Sequence, residues 1–72
     1  MRYKVYTFRG WEEYRFYDFA YGAAIKMIDS IKADKWCEEY WWAYIYDTHR
    51  GLRQLIWLRG NYCYQKTQWL IL

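Results

Sequence analysis

Nineteen aromatic rings in 72 residues, six Trp, ten Tyr and three Phe, constrain this chain more than any other feature. One buried aromatic side chain covers roughly 150–250 Å². Burying all of them takes about 3,000–4,500 Å², in a chain length that hides only about 60% of its unfolded surface. Several rings must therefore lie at least partly outside. With 56% hydrophobic residues and no low-complexity stretch, the chain still has the means to build a core. The expected product is one domain over residues 1–72 with aromatic side chains on its surface. Tyr and Trp beyond what a core needs are the side chains of binding surfaces.

The chain has no Pro and four Gly, so long flexible linkers are not expected. Tyr3-Lys4-Val5-Tyr6-Thr7-Phe8 is β-branched and aromatic and reads as a strand, which Arg9-Gly10 breaks. Glu13 to Tyr17 alternates charged and aromatic residues and suits a second strand in a hairpin. A short helix near Trp11-Glu12-Glu13 competes with it. Asp18 then offers an N-cap. Ala20, Ala24, Met27, Ile28 and Ile31 recur at helical steps and predict an amphipathic helix over about residues 19–33. Gly22 inside it costs roughly 1 kcal/mol relative to Ala.

The second half reads as strand throughout. Tyr40 to Tyr46 is almost wholly aromatic and β-branched, Asp47 to Gly51 is a turn, and Leu52 to Arg59 is the next strand. Gly60-Asn61 matches a two-residue hairpin loop, Tyr62 to Gln65 returns, and Trp69 to Leu72 continues that strand or forms a separate edge. The fold class is α+β: a single helix packed on one face of a four- to five-stranded antiparallel sheet, in the order β-β-α-β-β-β. No second helix is available for the other face, which the sequence lines with rings. Ala24, Ile28, Ile31, Ile56 and Leu58 are expected to meet between helix and sheet.

The net charge of +3 sits entirely in residues 40–72, where Arg50, Arg53, Arg59 and Lys66 oppose Asp47 alone. In the strand from Leu52, Arg53, Leu55, Trp57 and Arg59 share one parity, and Gln54, Ile56 and Leu58 the other. The more aliphatic set belongs under the helix. Two arginines flanking a Trp then face outward, and Tyr62 and Tyr64 extend that surface. Interleaved Arg and rings stack on bases and cradle phosphates, and they equally make protein hot spots. The candidate partner-binding residues are Arg53, Trp57, Arg59, Tyr62, Tyr64 and Arg50.

No catalytic, cofactor or metal set is expected. His49 stands on a turn beside Thr48 and Asp47, whereas a triad needs groups converging from separate elements. Glu12-Glu13 and Glu38-Glu39 are sequence neighbours that point apart. The four glycines form no phosphate loop. Cys37, His49 and Cys63 fall short of a four-ligand zinc site. Both cysteines are expected as free thiols, Cys63 as a small buried hydrophobe. Met1-Arg2-Tyr3-Lys4 leads into no apolar run, and no stretch approaches the roughly 20 residues that span a bilayer, so a cytoplasmic protein with no membrane contact is expected.

Arg59-Gly60-Asn61-Tyr62-Cys63-Tyr64 faintly resembles the aromatic signature of RNA-recognition motifs, but departs at Asn61 and Cys63 and comes without that fold's second helix. In size, Trp/Tyr richness and layout the whole chain resembles small phage-type anti-defence proteins, anti-CRISPR proteins among them. It shares no motif with them, so no residue role transfers. The resemblance implies a non-enzymatic inhibitor in the host cytoplasm that occludes a host nuclease, effector protein or protein–nucleic-acid complex. Two other readings stand beside it: a nucleic-acid-binding module using Arg53, Trp57, Arg59 and Tyr62, and a homodimer that covers the open face with its own copy.

Overall fold

The computed structural model describes residues 1–33, 41–59 and 63–71. Tyr3–Thr7 (β1) turns through Phe8 and Arg9 into Gly10–Tyr14 (β2), and the helix α1 spans Tyr17–Ala33. Trp42–Asp47 (β3), Leu52–Arg59 (β4), Cys63–Lys66 (β5) and Leu70–Ile71 (β6) follow. All pairings are antiparallel, in the order β2-β1-β3-β4-β5, with β6 also on β4. The chain thus leaves the β2 edge, crosses the sheet as α1, and returns beside β1. Among the described residues this is the expected α+β arrangement, and no helix is long and apolar enough to cross a membrane.

Residue parity places the core. Val5 of β1, Ala43 and Ile45 of β3, and Ile56 and Leu58 of β4 share the face that α1 covers with Ala20, Ala24 and Ile28. Ile31 is buried as well, so all five expected core residues are inside. The three alanines let the helix lie close to a sheet rimmed by Tyr3, Tyr17, Tyr21 and Trp69, which half-bury against the same cluster. Gln54, also buried, is satisfied on both ends: it accepts from the Tyr17 hydroxyl at 2.5 Å and donates to the Thr67 carbonyl at 3.0 Å.

Several local expectations shift. The second strand begins at Gly10 rather than Glu13, because Gly10 takes a φ of 132° that closes the turn. That extended pairing replaces the competing helix at Trp11. The Phe16 carbonyl accepts the Ala20 N–H at 3.1 Å, so the helix starts before Asp18, whose charge sits in the first turn. Gly22 faces open space, and no close approach to the sheet requires it.

The expected Gly60-Asn61 loop lies outside the described residues, but the register around it is defined. Arg59 pairs with Cys63, leaving residues 60–62 between them. A one-residue slip relative to a two-residue loop flips every following side chain. Tyr64 therefore opposes Leu58 on the helix face, and Cys63 is exposed rather than buried. A bulge restores the phase. Lys66 pairs with Ile56 and Leu70 with Arg53, so 67–69 face only Gln54 and Leu55. Thr67 fills the ladder there, donating its N–H to the Leu55 carbonyl and accepting the Leu55 N–H on its hydroxyl, both at 3.0 Å. The bulge turns Trp69 onto the helix face, against Tyr17.

Candidate functional site: the uncovered sheet face

Opposite α1, the same strands present a second face. The register places Trp11 beside Tyr6, Tyr6 beside Tyr44, Tyr44 beside Leu55, Trp42 beside Trp57, and Tyr46 between Lys4 and Arg53. Along β3 the rings follow one another, with centroids 5.4 Å apart for Trp42–Tyr44 and 6.0 Å for Tyr44–Tyr46. Tyr6 joins the row 6.2 Å from Trp42. These rings lean on each other and remain half-exposed; Trp11, at the edge, keeps 55% of its surface in solvent. The two faces of one sheet differ at their centres: aliphatic under the helix, with Tyr3, Tyr14, Tyr64 and Trp69 around it, and mainly aromatic on the side that no other described element covers.

Among the described residues, two cations lie within this face. The Lys4 ammonium sits 4.3 Å from the Trp11 ring centroid and the Arg53 guanidinium 5.4 Å from that of Tyr44. Neither forms an ion pair among the described residues. The Arg53 Nε is covered by its surroundings and has no acceptor. Glu13, opposite Lys4 on the edge strand, pairs with the N-terminal ammonium at 3.7 Å instead.

Three acids of the helix side, Asp47, Glu12 and Asp29, are committed elsewhere. Asp47 is fully buried at the end of β3. It accepts from Arg2 Nε and Nη2 at 3.1 and 3.0 Å and from Arg50 Nε at 2.7 Å. The backbone N–H groups of His49 and Arg50 also donate to it. Hydrogen bonding to Arg2, helped by Arg50, holds its carboxyl well below the usual carboxylate range, against the opposing effect of burial. On the same side Glu12 accepts from the Tyr14 hydroxyl at 2.6 Å, and this bond pushes the phenol up to about 12. The Tyr64 hydroxyl donates to Asp29, and burial together with that bond pushes it up to about 12.

The expected site residues separate accordingly. Arg53 and Trp57 stand on the uncovered face, as their parity predicts. Arg59 ends β4, its backbone paired with Cys63. Tyr64 faces the helix side through the register slip, so it does not extend the surface. Arg50 is held by Asp47 and by the Trp69 ring at the helix-side end of the sheet. Tyr62 lies outside the described residues, as does Cys37. The face also holds Trp42, Tyr44 and Tyr46, whose run from Tyr40 to Tyr46 the sequence offers only as the second candidate surface, and Tyr6, Lys4 and Trp11, which it does not single out. Their signal was present: in 42–47 the rings alternate with Ala43, Ile45 and Asp47. The alternation is aromatic against aliphatic, not polar against apolar, so the run looked uniform.

His49 is exposed, and its backbone rather than its ring meets Asp47. Among the described residues, no three His, Cys, Asp or Glu side chains converge as metal ligands would. A second surface feature, a groove of about 610 Å³ between β2 and α1, exposes Phe16 and Phe19 beside Gly22 and Ala23. No protein-family model matches the chain, and neither a curated protein nor a solved structure is similar to it.

Proposed function

We propose that the chain is a non-enzymatic recognition module that works by laying its uncovered sheet face on a macromolecular partner. One observation carries this reading: the sheet puts its aliphatic side chains under α1 and gives the solvent a row of Trp and Tyr carrying two unpaired cations. A half-exposed ring row gains little from water and much from a flat partner, and Tyr, Trp and Arg dominate the anchors of recognition surfaces. The mode of action that fits a rigid face without chemistry is occlusion. The resemblance to small anti-defence proteins in size and Trp/Tyr richness implies the same mode, with a host nuclease or effector complex as the target.

The test compares the wild type with an Arg53→Glu/Trp57→Ala double variant as immobilised bait in bacterial lysate, read by mass spectrometry. The variant keeps its circular-dichroism spectrum and loses at least tenfold of the captured partner, the loss expected when a central anchor is removed. Equal capture by a folded variant places the functional surface elsewhere.

A further inference from the structure

We infer that the ligand of the uncovered face is a single-stranded nucleic acid, with bases stacking on the rings of β3 and the backbone phosphates drawn to Lys4 and Arg53; this rests on the open-face reading above. The argument begins with the kind of apolar surface. At its centre the covered face is aliphatic, with Val5, Ala43, Ile45, Ile56 and Leu58, and its rings, Tyr3, Tyr14, Tyr64 and Trp69, pack half-buried around that cluster. The uncovered face is built from the same strands, yet Leu55 and, on β6, Leu70 are the aliphatic exceptions among Tyr6, Trp11, Trp42, Tyr44, Tyr46 and Trp57. Flat rings in a row suit flat partners. Base–ring stacking tolerates any sequence, because every base has a π-face.

Charge points the same way. Lys4 and Arg53 sit over rings and not on carboxylates, so their charge is available to an anion. Glu12, Asp29 and Asp47 are engaged on the helix side by Tyr14, Tyr64 and the arginine pair. Glu13 at the edge is matched by the N-terminus. The face is therefore aromatic and cationic, the combination that holds single strands. A duplex keeps its bases inside the stack and offers the rings nothing, so an unpaired strand is the fitting substrate.

The test uses a fluorescein-labelled oligo(dT) of about 12 nucleotides, within the site sizes small sheet folds cover. Anisotropy and quenching of intrinsic Trp fluorescence report binding. Saturable binding with quenching is expected, and an unlabelled duplex of equal length competes poorly. Tyr44→Ala weakens binding about 5- to 150-fold, the range that follows from losing one base–ring stack. Arg53→Gln lowers the slope of log K against log salt by about 0.7, one phosphate contact on a single strand. Arg53→Lys keeps that slope but loses affinity, because it keeps the charge without the plane. Phe19→Ser, on the helix groove, changes nothing.

Absence of saturable binding below about 100 μM at low salt, the range of weak non-specific affinity, overturns the assignment. So does binding that Tyr44→Ala and Arg53→Gln both leave unchanged in variants that melt like the wild type. If oligo(dT) fails but the double variant still loses its lysate partner, the ligand is a protein and only this inference falls. If sedimentation shows a dimer that Tyr44→Ala dissociates, a second copy covers the face and both readings fall.

Discussion

Replacing Asp47 by Ala removes the charged acceptor at the end of the sheet where β1 meets β3. Its carboxylate takes three side-chain hydrogen bonds, from Arg2 Nε and Nη2 and from Arg50 Nε, and two from the backbone N–H groups of the turn. Removing one member of a fully buried pair costs roughly 3–5 kcal/mol, much of it from stranding the other charge. Here Arg2 and Arg50 keep 38% and 49% of their side chains in solvent, so water reclaims them and the stranding cost shrinks. What remains is the loss of several bonds to one charged acceptor, each contributing about 1.5–3 kcal/mol net and not additive. We expect Asp47→Ala to lose about 2–4 kcal/mol. The sign of the pH dependence follows from the direction of the shift. The folded carboxyl titrates below its unfolded value of about 3.9, so the unfolded chain takes the proton first. This stabilisation is complete above about pH 5 and is lost as the pH falls through 4 and below. Urea melts followed by Trp fluorescence from neutral to acid pH measure both effects. The wild type should lose stability steeply on acidification, and Asp47→Asn should lose less over the same interval. A variant within about 0.5 kcal/mol of the wild type at pH 7, or a pH profile parallel to it, refutes the reasoning.

Ile28→Ala should cost roughly 2–5 kcal/mol in denaturant melts, since Ile28 is fully buried between helix and sheet. Gly22→Ala should raise stability by about 0.5–1 kcal/mol, because the site is helical and a Cβ there meets nothing. Gly51→Ala should lower it, because Gly51 holds a φ of 64°. In a spectrophotometric alkaline titration, Tyr14 and Tyr64 should ionise near 12 and Tyr64→Phe should remove one late phenol. The folded phenols titrate above the unfolded value of about 10, so stability is intact below that pH and falls as the pH rises toward 12.

The helix and the buried side of β4 were legible because their signals are local. Ala20 to Ile31 repeats at helical steps, and Gln54, Ile56 and Leu58 alternate against Arg53, Leu55 and Trp57. The placement of Tyr64 and Cys63 was not legible, because it depends on how many residues lie between β4 and β5. A Gly-Asn pair advertises two, and the Arg59–Cys63 pairing leaves one more. The bulge at 67–69 was equally hidden, since its reason is long-range: Gln54, satisfied by Tyr17, also needs the Thr67 carbonyl. The centre of the candidate site ranked only second in the sequence for a third reason. Periodicity reads hydropathy, and Ala43 and Ile45 differ from Trp42, Tyr44 and Tyr46 in shape more than in polarity.

The path of the chain from β2 over α1 to β3 has a kinetic consequence. β3, β4 and β5 form a meander joined by short connections, and β1 with β2 is a tight hairpin. The pairing of β1 with β3, which makes the sheet continuous, joins Tyr3 to Asp47 across most of the chain. Local pieces close quickly and distant ones slowly, because the loop entropy must be overcome before the contacts form. The seam between β1 and β3 is thus the last join to be made, and the Arg2–Asp47 clasp lies at its end. Interactions formed after the rate-limiting step govern how fast a protein opens rather than how fast it closes. The clasp then acts as a latch on the native state: substitutions at Arg2 appear in the unfolding limb of a chevron plot and leave the folding limb in place, whereas substitutions at Asp47, which also holds the β3–β4 turn, move both limbs.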